Sequence, residues 1–251
     1  MFSPDQITYR YTSSEKEHLC TILNEFNVKN ELDDSAKSKI LHRINQGEPY
    51  QYVINQSWFY GMELSVNEHV LIPRPETEEL VDYLIKHVPS NSVIDLGTGS
   101  GCIALALKKG LPQVKILGVD LSSEALDVAK KNAQKLDLDI EFKHDDMLNP
   151  TQTYSDYDLI VSNPPYIEAS EQLDETVQQY EPHMALFSPD DALKFYRAVL
   201  SFASEHLRAG GTVAVEINQE LGKETLALFV DYQAEMLQDM SGNDRFIIAH
   251  K

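Results

Sequence analysis

Apolar positions recur at helical spacing in the first part of the chain. Leu19, Ile22, Leu23 and Phe26 repeat at intervals of three and four, and polar residues separate them. Positions with this spacing share one face of an α-helix. The pattern therefore predicts a few short amphipathic helices over residues 2–46.

The pattern changes in the stretch that ends at Val70, which is rich in aromatic and β-branched side chains around Gly61. This composition is typical of a β-hairpin, and we expect residues 49–70 to form a hairpin that links two parts of the chain. Beyond it, Pro73 and Pro75 exclude a helix interior. The chain there is predicted to be extended and to lead into a helix.

From this point, predicted strands and helices alternate along the chain. The predicted strands are residues 92–96, 115–120, 139–143, 157–162, 211–217, 235–239 and 244–250, and the later helices are 101–109, 123–136, 190–208 and 219–230. Alternation of this kind implies right-handed βαβ units. We therefore expect an α/β domain with a mostly parallel sheet and helices on both faces.

Composition narrows the class of partner. The 251 residues include 21 Lys plus Arg and 40 Asp plus Glu, which gives a formal net charge of −19. Affinity for nucleic acids depends largely on basic side chains that neutralise phosphates. We therefore expect no direct nucleic-acid partner.

Sequence signals for export, membrane insertion and metal binding are missing. Cys20 and Cys102 lie far apart without metal-type spacing, the eight histidines form no cluster, and the first ten residues lack the apolar centre of a signal peptide. No apolar run reaches the length of about 18 residues that a membrane-spanning helix needs. A cytoplasmic protein without a bound metal is expected.

A glycine-rich loop, Asp95-Leu-Gly-Thr-Gly-Ser-Gly101, closes the first strand of the alternating region. Glycine lacks the Cβ that would keep a ligand away from the backbone. The GxGxG spacing differs from the GxGxxG of dinucleotide folds, and a carboxylate before it would repel a pyrophosphate. It suits a ligand with an ammonium or sulfonium group, such as S-adenosylmethionine, although a turn that merely closes a βα unit has the same pattern.

Two further acidic positions follow the next strands. Asp120 lies about 20 residues beyond the loop, where a carboxylate accepts both hydroxyls of a ribose. Its alternative role is to cap the following helix, which Ser122 or Ser123 would do equally well. In Asp145-Asp146-Met147, an acidic residue would reach an adenine amino group and Met147 would pack on the ring. Alternatively, the two acids are solvated turn residues.

The motif Asn163-Pro-Pro-Tyr166 stands at the carboxyl end of a predicted strand, where open α/β sheets bind ligands. A planar amide or amine nitrogen is a poor nucleophile because its lone pair is delocalised. The side-chain carbonyl of Asn163 and the backbone carbonyl of Pro164 would accept its two N–H groups and favour a tetrahedral nitrogen. Tyr166 would stack on the flat group. The alternative is a turn that simply ends a strand.

These motifs, with several longer stretches, resemble the peptide chain release factor glutamine methyltransferases, a branch of the class I S-adenosylmethionine-dependent methyltransferases. The stretches are Gly47-Glu-Pro-Tyr-Gln-Tyr52, Val70-Leu-Ile-Pro-Arg-Pro-Glu-Thr-Glu78, Ser162-Asn-Pro-Pro-Tyr-Ile167, Tyr180-Glu-Pro182 and Glu216-Ile217. The resemblance extends over roughly residues 40–251. It implies a Rossmann-like α/β fold with a mostly parallel seven-stranded sheet in a catalytic domain, residues 71–251. A helical substrate-recognition domain, residues 1–48, and the hairpin linker, residues 49–70, would precede it.

That family methylates the N5 side-chain amide nitrogen of the glutamine in the Gly-Gly-Gln motif of class 1 peptide chain release factors, which modulates translation termination. The resemblance implies S-adenosyl-L-methionine as cofactor, S-adenosyl-L-homocysteine as product and a release factor as the partner of a monomeric enzyme. The catalytic residues would be Asn163 and Pro164, and the substrate-binding residues Asn163, Pro164, Pro165, Tyr166, Arg74 and Glu76. The cofactor-binding residues would be Asp95, Gly97, Thr98, Gly99, Ser100, Gly101, Asp120, Leu121, Asp146, Met147 and Asn163.

Four positions qualify the resemblance. Met147 replaces an aromatic residue sometimes found there, and Asn218 stands where glycine usually follows Glu-Ile; both changes would alter cofactor packing rather than the reaction. Arg74 and Glu76 have the alternative roles of a surface ion pair and of a favourable charge in the first turn of a helix.

Three other functions are compatible with parts of the pattern. An adenine-N6 methyltransferase would also use Asn-Pro-Pro-Tyr on a flipped base, but the net charge of −19 disfavours it. A non-catalytic scaffold or ligand sensor is disfavoured by the intact Asp95, Asp120 and Asn163. A nicotinamide-dependent dehydrogenase is disfavoured by the GxGxG spacing.

Overall fold

The chain divides into two compact units in a computed structural model that describes residues 1–168, 174–188 and 190–251. Unit 1 comprises Met1–Gln56 and Leu173–Tyr180, and unit 2 comprises Ser57–Gln172 and Glu181–Lys251. The first boundary thus lies eight residues beyond the predicted end of the helical domain at residue 48. The second segment of unit 1 was not predicted.

Unit 1 is helical. It contains a 3₁₀ turn at Pro4–Gln6 and the helices α1 (Ser13–Asn30), α2 (Asp34–Asn45), α3 (Tyr50–Ile54) and, in chain order, α7 (Glu175–Tyr180). The side chains of Thr12 and Asp33 accept backbone N–H groups in the first turns of α1 and α2 and so cap both helices. Leu19 and Leu23 are buried, as the helical spacing predicts.

The predicted hairpin is wrong for its first residues, because Tyr50–Ile54 is the helix α3. This helix begins after Pro49 and ends before its C-cap residue Asn55, which has a left-handed φ of 54°. The last three residues of α3 are consecutive and all buried. A half-buried strand, whose alternate side chains face solvent, does not bury three in a row. Packing in the helical core therefore overrides the β propensity of these aromatic and branched side chains.

The hairpin itself is shorter than predicted, with strands β1 (Gln56–Phe59) and β2 (Met62–Ser65). Its two turn residues, Tyr60 and Gly61, both have positive φ, at 48° and 66°. A type I′ turn requires this conformation at both positions, and its twist matches that of the paired strands.

Unit 2 contains the predicted seven-stranded sheet. Its strands are β3 (Ser92–Leu96), β4 (Lys115–Asp120), β5 (Glu141–His144), β6 (Tyr157–Ser162), β7 (Leu207–Glu216), β8 (Gln233–Gln238) and β9 (Asp244–His250). The strand order is β5-β4-β3-β6-β7-β9-β8, and β9 runs in the direction opposite to the other six strands. The mostly parallel sheet is confirmed.

Helices cover both faces of this sheet. Those of unit 2 are α4 (Pro75–His87), α5 (Cys102–Gly110), α6 (Ser123–Lys135), α8 (His183–Leu186), α9 (Lys194–His206) and α10 (Gly222–Leu226). Val93 and Leu159 belong to the core that contains α4 and α5, whereas Ile94 and Ile160 belong to the core that contains α9. Successive strand residues point to opposite faces, so the two cores lie on either side of one sheet.

Several predicted boundaries shift. The helix predicted to end at residue 208 ends at His206, because β7 already begins at Leu207. Leu207 pairs with Tyr157 of β6, and the register of the two strands shifts after this pair. The helix predicted over residues 219–230 is only α10 between two 3₁₀ turns. The strand predicted from residue 139 begins at Glu141.

A buried side chain of α6 holds the hairpin and the glycine loop together. Asn132 is fully buried, and its Nδ2 donates to the carbonyl oxygens of Ser65 and Ser100, both at 3.0 Å. Its Oδ1 accepts the Ser65 N–H at 2.7 Å. The position of the loop between β3 and α5 is therefore fixed from behind. Among the described residues, no helix is both long and apolar enough to cross a membrane.

Candidate active site

The carboxyl ends of β4, β3 and β6 lie side by side in the sheet, and the segments after them line one cavity of unit 2. The predicted site residues that line it are Arg74, Gly97, Thr98, Gly99, Ser100, Asp120, Leu121, Asp146, Met147, Asn163 and Pro165. The predicted residues Glu76, Asp95, Gly101, Pro164 and Tyr166 are not among its lining. The sheet thus brings the two separate sequence motifs to one place.

The glycine loop has a backbone that only glycine adopts readily. Gly97, Gly99 and Gly101 have φ values of 76°, 54° and 81°. A Cβ on Gly99 would meet no atom within 4 Å, whereas one on Gly97 would lie 3.0 Å from the terminal carbon of Met147. The loop is therefore open at Gly99 and covered by Met147 at Gly97.

Asp95 lies behind this loop rather than in the cavity. It is fully buried, and the Thr98 hydroxyl donates to its Oδ2 at 2.7 Å. Burial raises the pKa of Asp95 to about 7, although the Thr98 hydrogen bond opposes the shift. Any influence of this carboxyl on a ligand would act through the loop.

Asp120 faces the cavity and organises its rim. Its Oδ2 accepts the Gly99 N–H at 2.8 Å and its Oδ1 accepts the Ser122 N–H at 2.9 Å. The Ser122 side chain caps α6 by accepting the Ala125 N–H, so the capping role does not fall to Asp120. Burial raises the pKa of Asp120, and the two backbone N–H groups oppose the shift. Each carboxylate oxygen retains a lone pair for a further donor.

The two acids after β5 have different surroundings. The carboxylate of Asp145 accepts the Tyr154 hydroxyl, the Thr151 hydroxyl and the backbone N–H groups of Thr151 and Gln152. Burial would raise the pKa of Asp145, but these hydrogen bonds lower it to about 2. Asp145 is therefore engaged in holding the turn, and Asp146 accepts the Leu148 N–H; both residues line the cavity.

A hydrogen-bonded chain leads from Asn163 into the protein. The Asn163 Nδ2 donates to Thr77 Oγ1 at 3.2 Å, and the Thr77 hydroxyl donates to Glu216 Oε2 at 2.6 Å. The Tyr166 hydroxyl donates to Glu216 Oε1 at 3.3 Å. Burial raises the pKa of Glu216, while the Thr77 hydrogen bond and the nearby Arg245 oppose the shift. The expected stacking of Tyr166 on the substrate remains a prediction.

Arg74 belongs to an ion pair whose carboxylate is buried. Its Nη2 lies 2.6 Å from Oε1 of Glu181, which is 2% exposed. The other oxygen of Glu181 accepts the Ile72 N–H at 3.2 Å. The alternative of a surface ion pair is therefore wrong for Arg74, which is held at the cavity wall. Glu76 lies in the first turn of α4, as its alternative role requires.

Several residues of the cavity wall have no role predicted from the sequence. Among them are Val70, Pro73, Thr77, Met184 and Phe195. The first three lie within the stretch from Val70 to Glu78 that carries the family resemblance. The motif therefore indicates this stretch, but it does not show which of its residues line a cavity. Phe195 lies in no quoted motif. Among the described residues, no group of three or more His, Cys, Asp or Glu is placed to hold a metal ion.

Known proteins match the chain over most of its length. Residues 75–180 match the Methyltransferase small domain family. A release factor glutamine methyltransferase of Flavobacterium psychrophilum is 41% identical over 220 residues, which cover 83% of this chain and 77% of the relative. One of Enterococcus faecalis is 43% identical over 209 residues, or 80% and 75% of the two chains. The chain belongs to the release factor glutamine methyltransferase family.

Membership of the release factor glutamine methyltransferase family confirms the resemblance carried by the sequence motifs, and it makes the chain a methyltransferase. A solved structure of a methyltransferase from Pyrococcus furiosus has a TM-score of 0.57 at 16% identity and covers 87% of this chain and 98% of that one. At this identity the likeness concerns the fold alone. It agrees with the class I methyltransferase architecture of unit 2.

Proposed function

We propose that this chain transfers a methyl group from S-adenosylmethionine to the side-chain amide nitrogen of the glutamine in the Gly-Gly-Gln motif of class 1 release factors. The observation that carries the proposal is one cavity whose lining includes Gly99, Asp120 and Asn163. The proposed cofactor site and the proposed amide-binding site thus share one cavity in a chain of this family.

The residues present fit the cofactor. Gly99 leaves open space beside the loop, and the Asp120 carboxylate has lone pairs left for the two ribose hydroxyls. Leu121, Asp146 and Met147 would enclose the adenine. The chemistry available from a bound S-adenosylmethionine is an electrophilic methyl group on a sulfonium centre.

The chain's own contribution to the reaction is to prepare the amide nitrogen. Asn163 Oδ1 and the Pro164 carbonyl oxygen would accept the two N–H groups of the glutamine amide. Charge that develops on the nitrogen is then stabilised by dipoles already in place. Two consecutive prolines restrict the backbone after Asn163, so these acceptors need little reorganisation.

We assign recognition of the protein substrate to unit 1, together with Arg74 at the cavity wall. The support is the separate helical core of unit 1 and the name of the relatives, which specifies a release factor. Methylation of an adenine amino group is the second candidate, because Asn-Pro-Pro-Tyr suits it equally well. The net charge of −19 favours the protein substrate.

The decisive experiment incubates the full chain with S-adenosylmethionine and a purified, unmethylated class 1 release factor. Mass spectrometry should find one added methyl group on the peptide that contains Gly-Gly-Gln. A release factor with that glutamine replaced by alanine should gain none. Failure to modify the glutamine at saturating cofactor would overturn the assigned substrate.

A further inference from the structure

The orientation of the Asn163 side chain decides whether it can serve an amide substrate. A primary amide presents either its oxygen, an acceptor, or its nitrogen, a donor. The glutamine amide nitrogen offers two N–H donors, so only the oxygen of Asn163 can receive one of them. Something in the protein must therefore keep the nitrogen of Asn163 turned away.

Thr77 is placed to do this. It is 2% exposed, lies in the first turn of α4, and lines the cavity together with Asn163. A threonine hydroxyl has one donor hydrogen and acceptor lone pairs. At 2.6 Å from Glu216 Oε2, that single hydrogen is committed to the carboxylate. Toward Asn163, Thr77 can therefore only accept, and it accepts Nδ2 at 3.2 Å.

Glu216 sets the direction of this chain of donors. An ionised carboxylate only accepts, and Glu216 receives the Thr77 and Tyr166 hydroxyls on its two oxygens. Burial raises the pKa of Glu216, while the Thr77 hydrogen bond and the nearby Arg245 favour its charged form. Glu216 is 2% exposed and is the last residue of β7. This strand pairs with β6, which Asn163 directly follows. Water therefore does not compete for these hydrogen bonds.

We propose that Thr77 and Glu216 are positioning residues, which orient the Asn163 amide so that its carbonyl oxygen accepts from the target glutamine. Neither residue needs to touch the substrate amide for this role. The inference rests on the function proposed above, because it specifies how the acceptor for the glutamine N–H is held.

The test compares Thr77→Val, which keeps the shape but removes the hydroxyl, with Thr77→Ser, which keeps the hydroxyl. Thr77→Val should lower kcat for methylation of the release factor by about 10- to 100-fold, as the loss of a preorganised acceptor does. Thr77→Ser should recover most of this loss. The Kd of S-adenosylmethionine, measured by calorimetry, should change less than about twofold in both variants, because the proposed role of Thr77 concerns the target amide. A tenfold change in Kd would correspond to about 1.4 kcal/mol.

A matched control is Thr225→Val. Thr225 of α10 is also fully buried and also donates its hydroxyl, at 2.8 Å, to the carbonyl oxygen of Leu221, which precedes that helix. It should lower thermal stability without lowering kcat. The proposal is overturned if Thr77→Val retains wild-type kcat, or if Thr77→Ser loses as much as Thr77→Val. If the wild-type chain itself leaves the glutamine unmodified, the proposed function fails before the variants are compared.

Discussion

Replacing Asn163 with alanine removes the side-chain acceptor and leaves the glycine loop and Asp120 in place. We expect kcat to fall by about 100-fold or more, as for the loss of one preorganised hydrogen-bonding group, and cofactor affinity to remain nearly unchanged. Steady-state kinetics and calorimetry measure the two effects. Asn91→Ala, at the amino end of β3 on the opposite edge of the sheet, is the control. An unchanged kcat in Asn163→Ala would refute the assigned mechanism.

Individual residues of the site differ in how far the sequence predicts them. Asp120 ends a strand and Asn163 directly follows one, and the apolar pattern of both strands is clear, so their place at one sheet edge follows from topology. Thr77 and Glu216 lie 139 positions apart and meet only because α4 packs beside the end of β7. A single sequence contains no local signal for such a pairing, and the direction of its hydrogen bonds requires coordinates.

Asp95 carries a cost in stability that depends on pH. Burial raises its pKa from 3.8 to about 7 in the folded chain, so the folded state retains a proton that the unfolded state has released. Stability should therefore fall as pH rises from about 4 to about 7, and the full cost should apply above that range. Asp95→Asn should then increase the free energy of unfolding at pH 8 by on the order of 2–4 kcal/mol.

Chemical denaturation at pH 4 and pH 8 checks this sign, because the gain in Asp95→Asn should nearly vanish at pH 4. Asp158→Asn is a control of opposite sign. Although burial raises the pKa of Asp158, the Asn91 N–H and Arg208 lower it overall. That substitution should cost stability at pH 8. A loss of stability in Asp95→Asn at pH 8 would contradict the prediction.

At the scale of elements, the regular part of the fold is predictable and its irregular part is not. The strands β3, β4, β6 and β9 begin and end at the residues predicted from the sequence. Errors occur where tertiary packing replaces the local preference. In α3, three consecutive residues become buried in a helical core despite their β propensity.

The loop between β3 and α5 allows a test at this scale. Gly99→Ala places a Cβ at a φ of 54° with no atom within 4 Å, so it should cost stability only through backbone strain, about 1–2 kcal/mol. The same Cβ would project where the cofactor approaches the backbone. We therefore expect Kd for S-adenosylmethionine to rise at least about tenfold, which corresponds to about 1.4 kcal/mol.

Gly242→Ala provides the matched control, because Gly242 also has a positive φ, 82°, with no atom within 4 Å, but lies in the turn between β8 and β9. Thermal unfolding should show similar losses in the two variants. Calorimetry should show weakened cofactor binding in Gly99→Ala alone. Equal cofactor affinity in both would remove the loop from the proposed site.

At the scale of the whole molecule, the division into units differs from the linear division predicted from the sequence. The segment Leu173–Tyr180 lies more than one hundred residues beyond Gln56, yet it belongs to unit 1. Within that unit, the Tyr180 hydroxyl donates to the Gln46 carbonyl oxygen at 3.1 Å. Local patterns predict elements but not such returns of the chain, which is why the sequence predicts a linear division.

The net charge of −19 leads to a prediction for the whole molecule, because it separates the proposed substrate from an adenine base. A surface with 40 acidic and 21 basic side chains repels a phosphate backbone. At about 150 mM salt, where surface charges still act over about 8 Å, we expect no measurable binding of fluorescent duplex DNA or single-stranded RNA by anisotropy. A release factor in the same buffer should bind. Methyl transfer to adenine at a rate comparable with that to the release factor would reverse the assignment, since the same Asn-Pro-Pro-Tyr geometry serves either nitrogen.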